Sequence, residues 1–410
     1  MRTPTTRTRL WPVILLLVLS LVGVSACGSK VPSSGEGGGK IAFEDSNLNI
    51  VNADGSGTPT VPLDPFGVEG PVWSPDGSEI AFRDSNYIST MRADGTHYVR
   101  LSYEGNEPEW FTWSPKSDQL AYVGNTFSGY GPTIFVVGAD GSGRRKLVNG
   151  DQPSWSPDGR KIAFVRGGFL RLINSDGSGE HKLARLGYYV LDGPVPWSSD
   201  SQKVAYTTSF WKNPKYSCES AGDCNYVDPN TNIELCRLHI VRVADSSEVQ
   251  IVGGGLLGKF GQCDIAWSPH GEQIAFSRNG FLYVGSADGR RERRLGRGLA
   301  PSWSPDGSHI AVRILHPFVG WPFDATIYVI NVHSRVEHRV APGDELSWSP
   351  DSKALVITRR IKNSAQDDNG NYTPGEYVIE TYDADGRQLR RIWPTVGITC
   401  DCGQPAWQPR

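Results

Sequence analysis

The stretch Pro71-Val72-Trp73-Ser74-Pro75-Asp76-Gly77-Ser78-Glu79-Ile80-Ala81-Phe82 decides the fold, because close copies of it return until the end of the chain. Later copies start at Trp113, Trp155, Trp197, Trp267, Trp303 and Trp348, and a truncated one, Trp407-Gln408-Pro409, makes eight. Ser-Pro-Asp-Gly puts Pro where a type I turn needs a fixed φ, and Gly where left-handed geometry is needed to re-enter a hairpin. The Trp therefore ends one short strand. An apolar triplet, such as Ile162-Ala163-Phe164 or Leu355-Val356-Ile357, forms the next. A triplet apolar on both faces needs cover on both sides.

A third, β-branched run leads into Asp-Gly turns at Asp140-Gly141, Asp176-Gly177 and Asp288-Gly289, and a basic or polar run such as Arg144-Arg145-Lys146-Leu147 closes the unit. Each unit reads as a four-stranded antiparallel meander. Sheets repeating every 40 to 45 residues or so bury both faces by packing against their own copies in a ring. The expected fold is all-β, an eight-bladed β-propeller over residues 40–410, with each Trp filling the space between adjacent sheets. Ile41-Ala42-Phe43 has no Trp strand before it, and Pro405-Ala406-Trp407 has no triplet after it. Pairing these two segments would complete one blade and close the ring, leaving no free sheet edge.

Composition fits many short strands: 47 Gly and 28 Pro in 410 residues, with no long helical period after the N-terminal segment. A net charge of −3 gives no sign of generic nucleic-acid binding. Arg2, Arg7 and Arg9 precede an apolar run from Leu10 to Val24, followed by Val24-Ser25-Ala26-Cys27. This pattern is expected to be a lipoprotein signal peptide over 1–26, with Cys27 lipidated; the alternative is an ordinary secretory signal with a Cys nearby. Residues 27–39, the lipidated Cys and a Gly/Ser-rich leash, have nothing to bury. The mature protein is thus expected outside the cytoplasm, periplasmic or extracellular, as a monomer held to the membrane by its acyl chains.

In an up-and-down blade, the Ser-Pro-Asp-Gly and Asp-Gly turns share one face. The other face takes the insertions, Gly124 to Pro132, Thr207 to Arg237, Gly253 to Asp264, Leu315 to Ala325, Arg359 to Tyr377 and Pro394 to Pro405. Long loops on one side of a rigid scaffold are where binding usually resides. Cys218, Cys224, Cys236, Cys263, Cys400 and Cys402 all fall there. Outside the cytoplasm they point to disulfides, with 15 possible pairings and Cys218 with Cys224 the most local; zinc is the alternative. Trp211, Tyr216, Trp321 and Tyr372 are aromatic candidates for the binding face, and Arg83, Arg166, Arg278, Arg313 and Arg359 follow the triplets by one or two residues. These arginines are either solvated strand ends or a basic rim suited to carboxylate or phosphate. Asp367-Asp368-Asn369-Gly370-Asn371 and the run from Asp228 to Glu234 are oxygen-rich, as calcium loops are, but neither has the full calcium spacing. No other metal or cofactor is expected, and no His-Glu-x-x-His string occurs.

The Trp-Ser-Pro-Asp-Gly, Ile-Ala-Phe and Ala-Asp-Gly-Ser-Gly series resembles the TolB-type WD-like propeller repeat across residues 40–410. That resemblance implies a non-enzymatic periplasmic partner of membrane-associated proteins. Two features depart from TolB itself, which has six blades and an α/β domain ahead of them. Similar repeats also form the propeller of prolyl-oligopeptidase-like peptidases, whose hydrolase domain carries Gly-x-Ser-x-Gly; that string is absent here. Two functions are therefore weighed. The first is a membrane-anchored module that binds a protein or glycan without catalysis. The alternative is a propeller enzyme acting on polysaccharide as a lyase or hydrolase, for which no acid/base set can be assembled and no catalytic residue is assigned.

Overall fold

The computed structural model describes residues 39–409 except 46, 57–59, 62–67, 103–109, 126–130, 187–194, 213–215, 221–222, 227–232, 257–263, 316–324, 344, 363–364, 367–371, 374–375 and 394–404. Each Trp-Ser-Pro copy from Trp73 to Trp348 makes the expected tight turn. At the first, the Gly77 N–H donates to the Ser74 carbonyl at 2.8 Å. The Ser74 hydroxyl donates to Asp76 at 2.7 Å, while the Glu79 N–H donates to the same hydroxyl oxygen at 2.9 Å. Three copies have Ser in place of Gly, and Ser117, Ser201 and Ser352 still adopt left-handed φ values of 63°, 59° and 62°. Each strained serine gains a bond across the blade boundary. Its Oγ accepts the N–H of Asp76, Asp158 or Asp306 in the preceding turn at 3.0–3.1 Å.

Blade 4 is representative: Asp151–Trp155, Lys161–Arg166, Phe169–Asn174 and His181–Arg185 pair antiparallel in that order. Seven sheets have four strands, and all eight repeats form blades. In blade 5 the first strand is reduced to a single bridge, Trp197 to Val204, beside the three longer strands Lys203–Lys212, Ile233–Arg242 and Glu248–Leu256. Pro196 has no N–H to extend that ladder, and its carbonyl accepts the Ala205 N–H instead.

Blade 1 takes its first strand, Ala406–Trp407, from the far end of the chain and its second, Lys40–Asp45, from the near end. Ile41 pairs with Trp407 and Ala42 with Ala406, as the sequence predicts. Gln408 reinforces the seam through its backbone, donating to the Lys40 carbonyl at 2.8 Å, and through its side chain, accepting the Lys40 N–H at 3.0 Å.

Apolar packing lies at the blade interfaces, with one buried cluster at each of eight junctions. The triplet divides between two of them. Ile162 and Phe164 pack toward blade 3, whereas Ala163 joins the cluster that holds Trp197 of blade 5. A small middle residue leaves room for the next blade's indole, which explains Ile-Ala-Phe in place of three large residues. Six indoles also hydrogen-bond backward: the Nε1–H of Trp73, Trp113, Trp197, Trp267, Trp303 and Trp348 donates to the carbonyl of the residue preceding the previous blade's Trp, at 3.0–3.2 Å. The Trp155 Nε1–H is buried and has no acceptor.

Candidate functional site

The two faces of the ring are built differently. On the turn face, Ser–Asp networks and cross-blade serines tie one hairpin to the next. A shallow polar cleft between blades 2 and 3 is lined by Glu79, Asp118 and Asp140. Burial, with help from the Asp76 charge, raises the Glu79 carboxyl above its usual range. The opposite face carries the insertions, and there the blades themselves grow longer. The central strands of blade 5 run ten residues each, against six in blade 4. Four extra residues lift that edge by about 13 Å. Much of the segment expected as loop, Thr207 to Lys212 and Ile233 to Arg237, is therefore strand.

Above blade 5, Tyr216–Ser220 and Asp223–Tyr226 form a separate two-stranded ribbon in which Cys218 is the backbone partner of Cys224 and Tyr216 that of Tyr226. Within the long strands, Trp211 is opposite Glu234, and Cys236 lies between Ser209 and Gly255. Blade 8 extends in the same way through Ala354–Lys362 and Glu376–Asp383, and a short ribbon beyond them sets Tyr372 opposite Gln366. Cys27, Cys263, Cys400, Cys402, Trp321 and both oxygen-rich runs except Ile233 and Glu234 lie outside the described residues.

Strand parity divides the five arginines into two sets. Arg83 and Arg313 stand one residue after their triplets and turn toward first-strand carboxylates: Arg83 is ion-paired with Glu69, and the charge of Arg313 acts on Asp264. Arg166, Arg278 and Arg359 stand two residues after and lie across the opposite side of their own sheets. Arg166 pairs with Glu180, which also accepts Arg171 at 2.6 Å, and Arg278 pairs with Glu292 while lying 4.0 Å over the Tyr283 ring. Arg359 grips Glu380 with two bonds of 2.8 and 3.0 Å. Glu380 is fully buried and also accepts Tyr382 at 2.7 Å and Arg391 at 3.3 Å. Burial alone would raise its carboxyl; the guanidinium and phenol donors outweigh that and hold it low. The five therefore do not converge on one anion.

First strands line the axis, and three of them, Val68–Trp73, Asp151–Trp155 and Leu299–Trp303, carry a left-handed residue just before their proline: Gly70, Gln152 and Ala300, with φ of 59°, 52° and 48°. Each sits at a break in strand register. Their amides reach carboxylates at the mouth. The Gly70 N–H donates to Glu44 of blade 1 at 2.7 Å, Ala300 to Asp264 of blade 6 at 2.9 Å, and Gln152 to Asp151 at 2.7 Å. Burial raises the carboxyls of Asp151 and Asp264 above the normal range. These carboxylates serve as acceptors for first-strand amides, and two of the three, Glu44 and Asp264, do so across a blade junction. Among the described residues no three His, Cys, Asp or Glu side chains are grouped to hold a metal.

Sequence reasoning did not find a polar network on blade 5. His239 stacks on Tyr206 at 4.7 Å, shares a 2.9 Å bond with Thr208 through Nε2, and contacts Glu248 through Nδ1. Tyr206 donates to the same carboxylate at 3.1 Å, and burial together with that charge raises its phenol. The order hydroxyl, imidazole, carboxylate can orient a nucleophile. Here it lies on the flat of the sheet, where Tyr206 belongs to the apolar cluster shared with blade 4. The available signal was period-two alternation, which places Tyr206, Thr208 and His239 on one side once the strand register is known.

No protein-family model matches the chain. Dipeptidyl-peptidase 5 of Porphyromonas endodontalis is 26% identical over 226 residues, a match covering 43% of this chain and 32% of the relative. The chain thus aligns with about a third of that protein's length. The solved structure of dihydro-heme d1 dehydrogenase NirN superposes with a TM-score of 0.57 at 13% identity, covering 93% of this chain and 78% of that one. TolB from Acinetobacter baumannii matches with a TM-score of 0.38 at 16% identity over 84% of this chain and 82% of its own. The likeness to NirN is one of fold alone, a β-propeller, and the chain's own repeat motifs resemble the TolB type.

Proposed function

We propose that this chain is a membrane-anchored, extracytoplasmic binding module that holds a protein or glycan partner on its looped face and performs no chemistry on it. The observation that carries this reading is the asymmetry of the ring: one face is stapled turn to turn, while blades 5 and 8 extend long strands and small ribbons beyond the other. The signal sequence and Cys27 support the location, and acyl chains there supply the tether. Cys218 and Cys224, backbone partners across a ribbon, are suited to a disulfide that stiffens the projecting tip.

The test is crosslinking in cells with the intact chain and with a variant whose segment 213–232 is replaced by a short Gly/Ser linker. The same crosslinked partner should appear with the first and disappear with the second, while both melt alike. An activity screen on envelope polysaccharides, with and without divalent metal, tests the enzymatic alternative. Turnover by the purified ring would overturn the binding reading. Labelling with palmitate, lost in Cys27→Ala, tests the tether separately.

A further inference from the structure

The outermost strands carry a charge pattern hidden by the net charge of −3. Blade 6 ends on Arg293–Arg297, blade 7 on Glu337–Pro342 and blade 8 on Gln388–Trp393. On these strands Arg293, Arg294, Arg297 and Arg339, and in the hairpins that lead into them Arg335 and Arg387, have no carboxylate within ion-pair distance among the described residues, unlike Arg166, Arg278 and Arg359, which are all paired. Arg293 of blade 6 lies within range of the charge of Arg335 on blade 7. Partial burial and the like charge of Arg335 lower the Arg293 pKa. A surface with an excess of one sign of charge raises the local concentration of counter-ions.

Apolar groups are interleaved with these guanidiniums. Phe281 lies 3.4 Å beneath Arg294. Val336, next to Arg335, is 48% exposed, and Leu389, next to Arg390, is 49% exposed; they are the two most exposed large apolar side chains described. A site for a small free anion would be concave and polar. A convex band of arginines and protruding aliphatics fits a surface with phosphates outside and hydrocarbon beneath. Arginine, with its planar donor fork, suits the phosphate layer.

We propose that the outer edge of blades 6 to 8 docks on an anionic phospholipid bilayer. This deepens the envelope reading and rests on it in one respect, that a bilayer is within reach. Blade 8 adjoins blade 1, where the leash enters, and residues 28–39 span at most about 40 Å. The acyl chains keep the protein at the bilayer, and a basic surface would fix how the ring lies on it. The ring would then lie edge-on to the membrane, with its looped face open to the side.

The test uses the chain from Gly28 to Arg410, which keeps every described contact and lacks Cys27, so that its outcome is independent of lipidation. Flotation should show binding to phosphatidylglycerol-containing vesicles, no binding to pure phosphatidylcholine, and release at high salt. Substituting Arg294, Arg297, Arg335 and Arg339 with Gln should weaken binding by about 600-fold where all four reach the surface and by at least about 25-fold where two do, since each basic residue near such a surface contributes about fivefold. Val336→Ser with Leu389→Ser should weaken it while leaving the salt slope unchanged. Lys116→Gln with Arg160→Gln, on the turn face, should have no effect. Failure to bind any vesicle, equal binding to both kinds, or unchanged binding by the four-arginine variant would overturn the proposal. Tighter capture of soluble polyphosphate than of vesicles would also overturn it and assign the band to a polymer.

Discussion

The indole of Trp303 donates its N–H to the carbonyl of Ala266 at 3.1 Å, across the junction between blades 6 and 7, and the same bond recurs at five other junctions. The tryptophan is therefore both wedge and latch. Trp155 packs at its junction in the same way but its N–H has no acceptor. Trp303→Phe should thus destabilise the ring more than Trp155→Phe, by about 1 kcal/mol, the net worth of one buried hydrogen bond. Paired denaturant titrations of the two variants check this, and equal losses would leave the latch with no energetic role.

Removing Gln404 to Arg410 deletes the first strand of blade 1 and exposes the edge at Lys40–Asp45. Melting temperature and solubility should both fall. Gln408→Ala, which removes only the side-chain bonds to Lys40 and Gly77, should lower the melting temperature by a smaller amount.

Ser352 shows how strain and bonding offset each other. Its left-handed φ favours glycine, yet its hydroxyl accepts the Asp306 N–H at 3.0 Å. Ser352→Ala keeps the strain and loses the bond, and should cost about 1–2 kcal/mol. Ser352→Gly loses the bond but relieves the strain, and should cost less. A thermal melt of each variant ranks them.

Glu380 links blade 8 to pH. Its folded pKa is depressed below the ordinary glutamate value near 4.5, so it stabilises the fold above that pH, and the contribution is lost as pH falls through the lower folded value. Glu380→Gln should flatten the acid limb of stability. Arg359→Gln removes the bidentate partner of a buried carboxylate and should cost about 3 kcal/mol near neutral pH, the lower end for breaking a buried pair because Arg391 and Tyr382 remain. Stability measured from pH 3 to 7 separates the two.

Non-reducing mass mapping should find Cys218 joined to Cys224. Reduction should loosen the ribbon above blade 5 before the ring, because the blades have their own apolar junctions. Free thiols with tightly bound zinc would refute it.

The blade count, the ring and its seam were legible because the repeat fixes turn chemistry and strand period together, and Ile-Ala-Phe specifies a two-sided sheet. The fate of Arg83 and Arg166 was not legible. They follow their triplets by one and two residues, and that single step sends them to opposite sides of the sheet, toward partners known only from the pairing register. Ser117 and Ser201 were also missed, because local propensity favours glycine there and the compensating bond comes from another blade. Nothing in the sequence singled out Glu380, because its partners Arg359 and Arg391 come from the strands on either side of it.

The pairing of Ile41 with Trp407 has a consequence for the order in which the molecule is made. Every other sheet draws its strands from one contiguous stretch and can form as that stretch emerges, but the sealing contact joins residues 366 positions apart. Closing so long a loop carries a large entropic cost, and contacts of such separation form late. A chain made from its N-terminus is therefore an open arc, with the edge of Ile41 uncovered, until Ala406 and Trp407 reach it. The unpaired edge of Lys40–Asp45 thus exists only on the incomplete chain, and the finished ring no longer displays it.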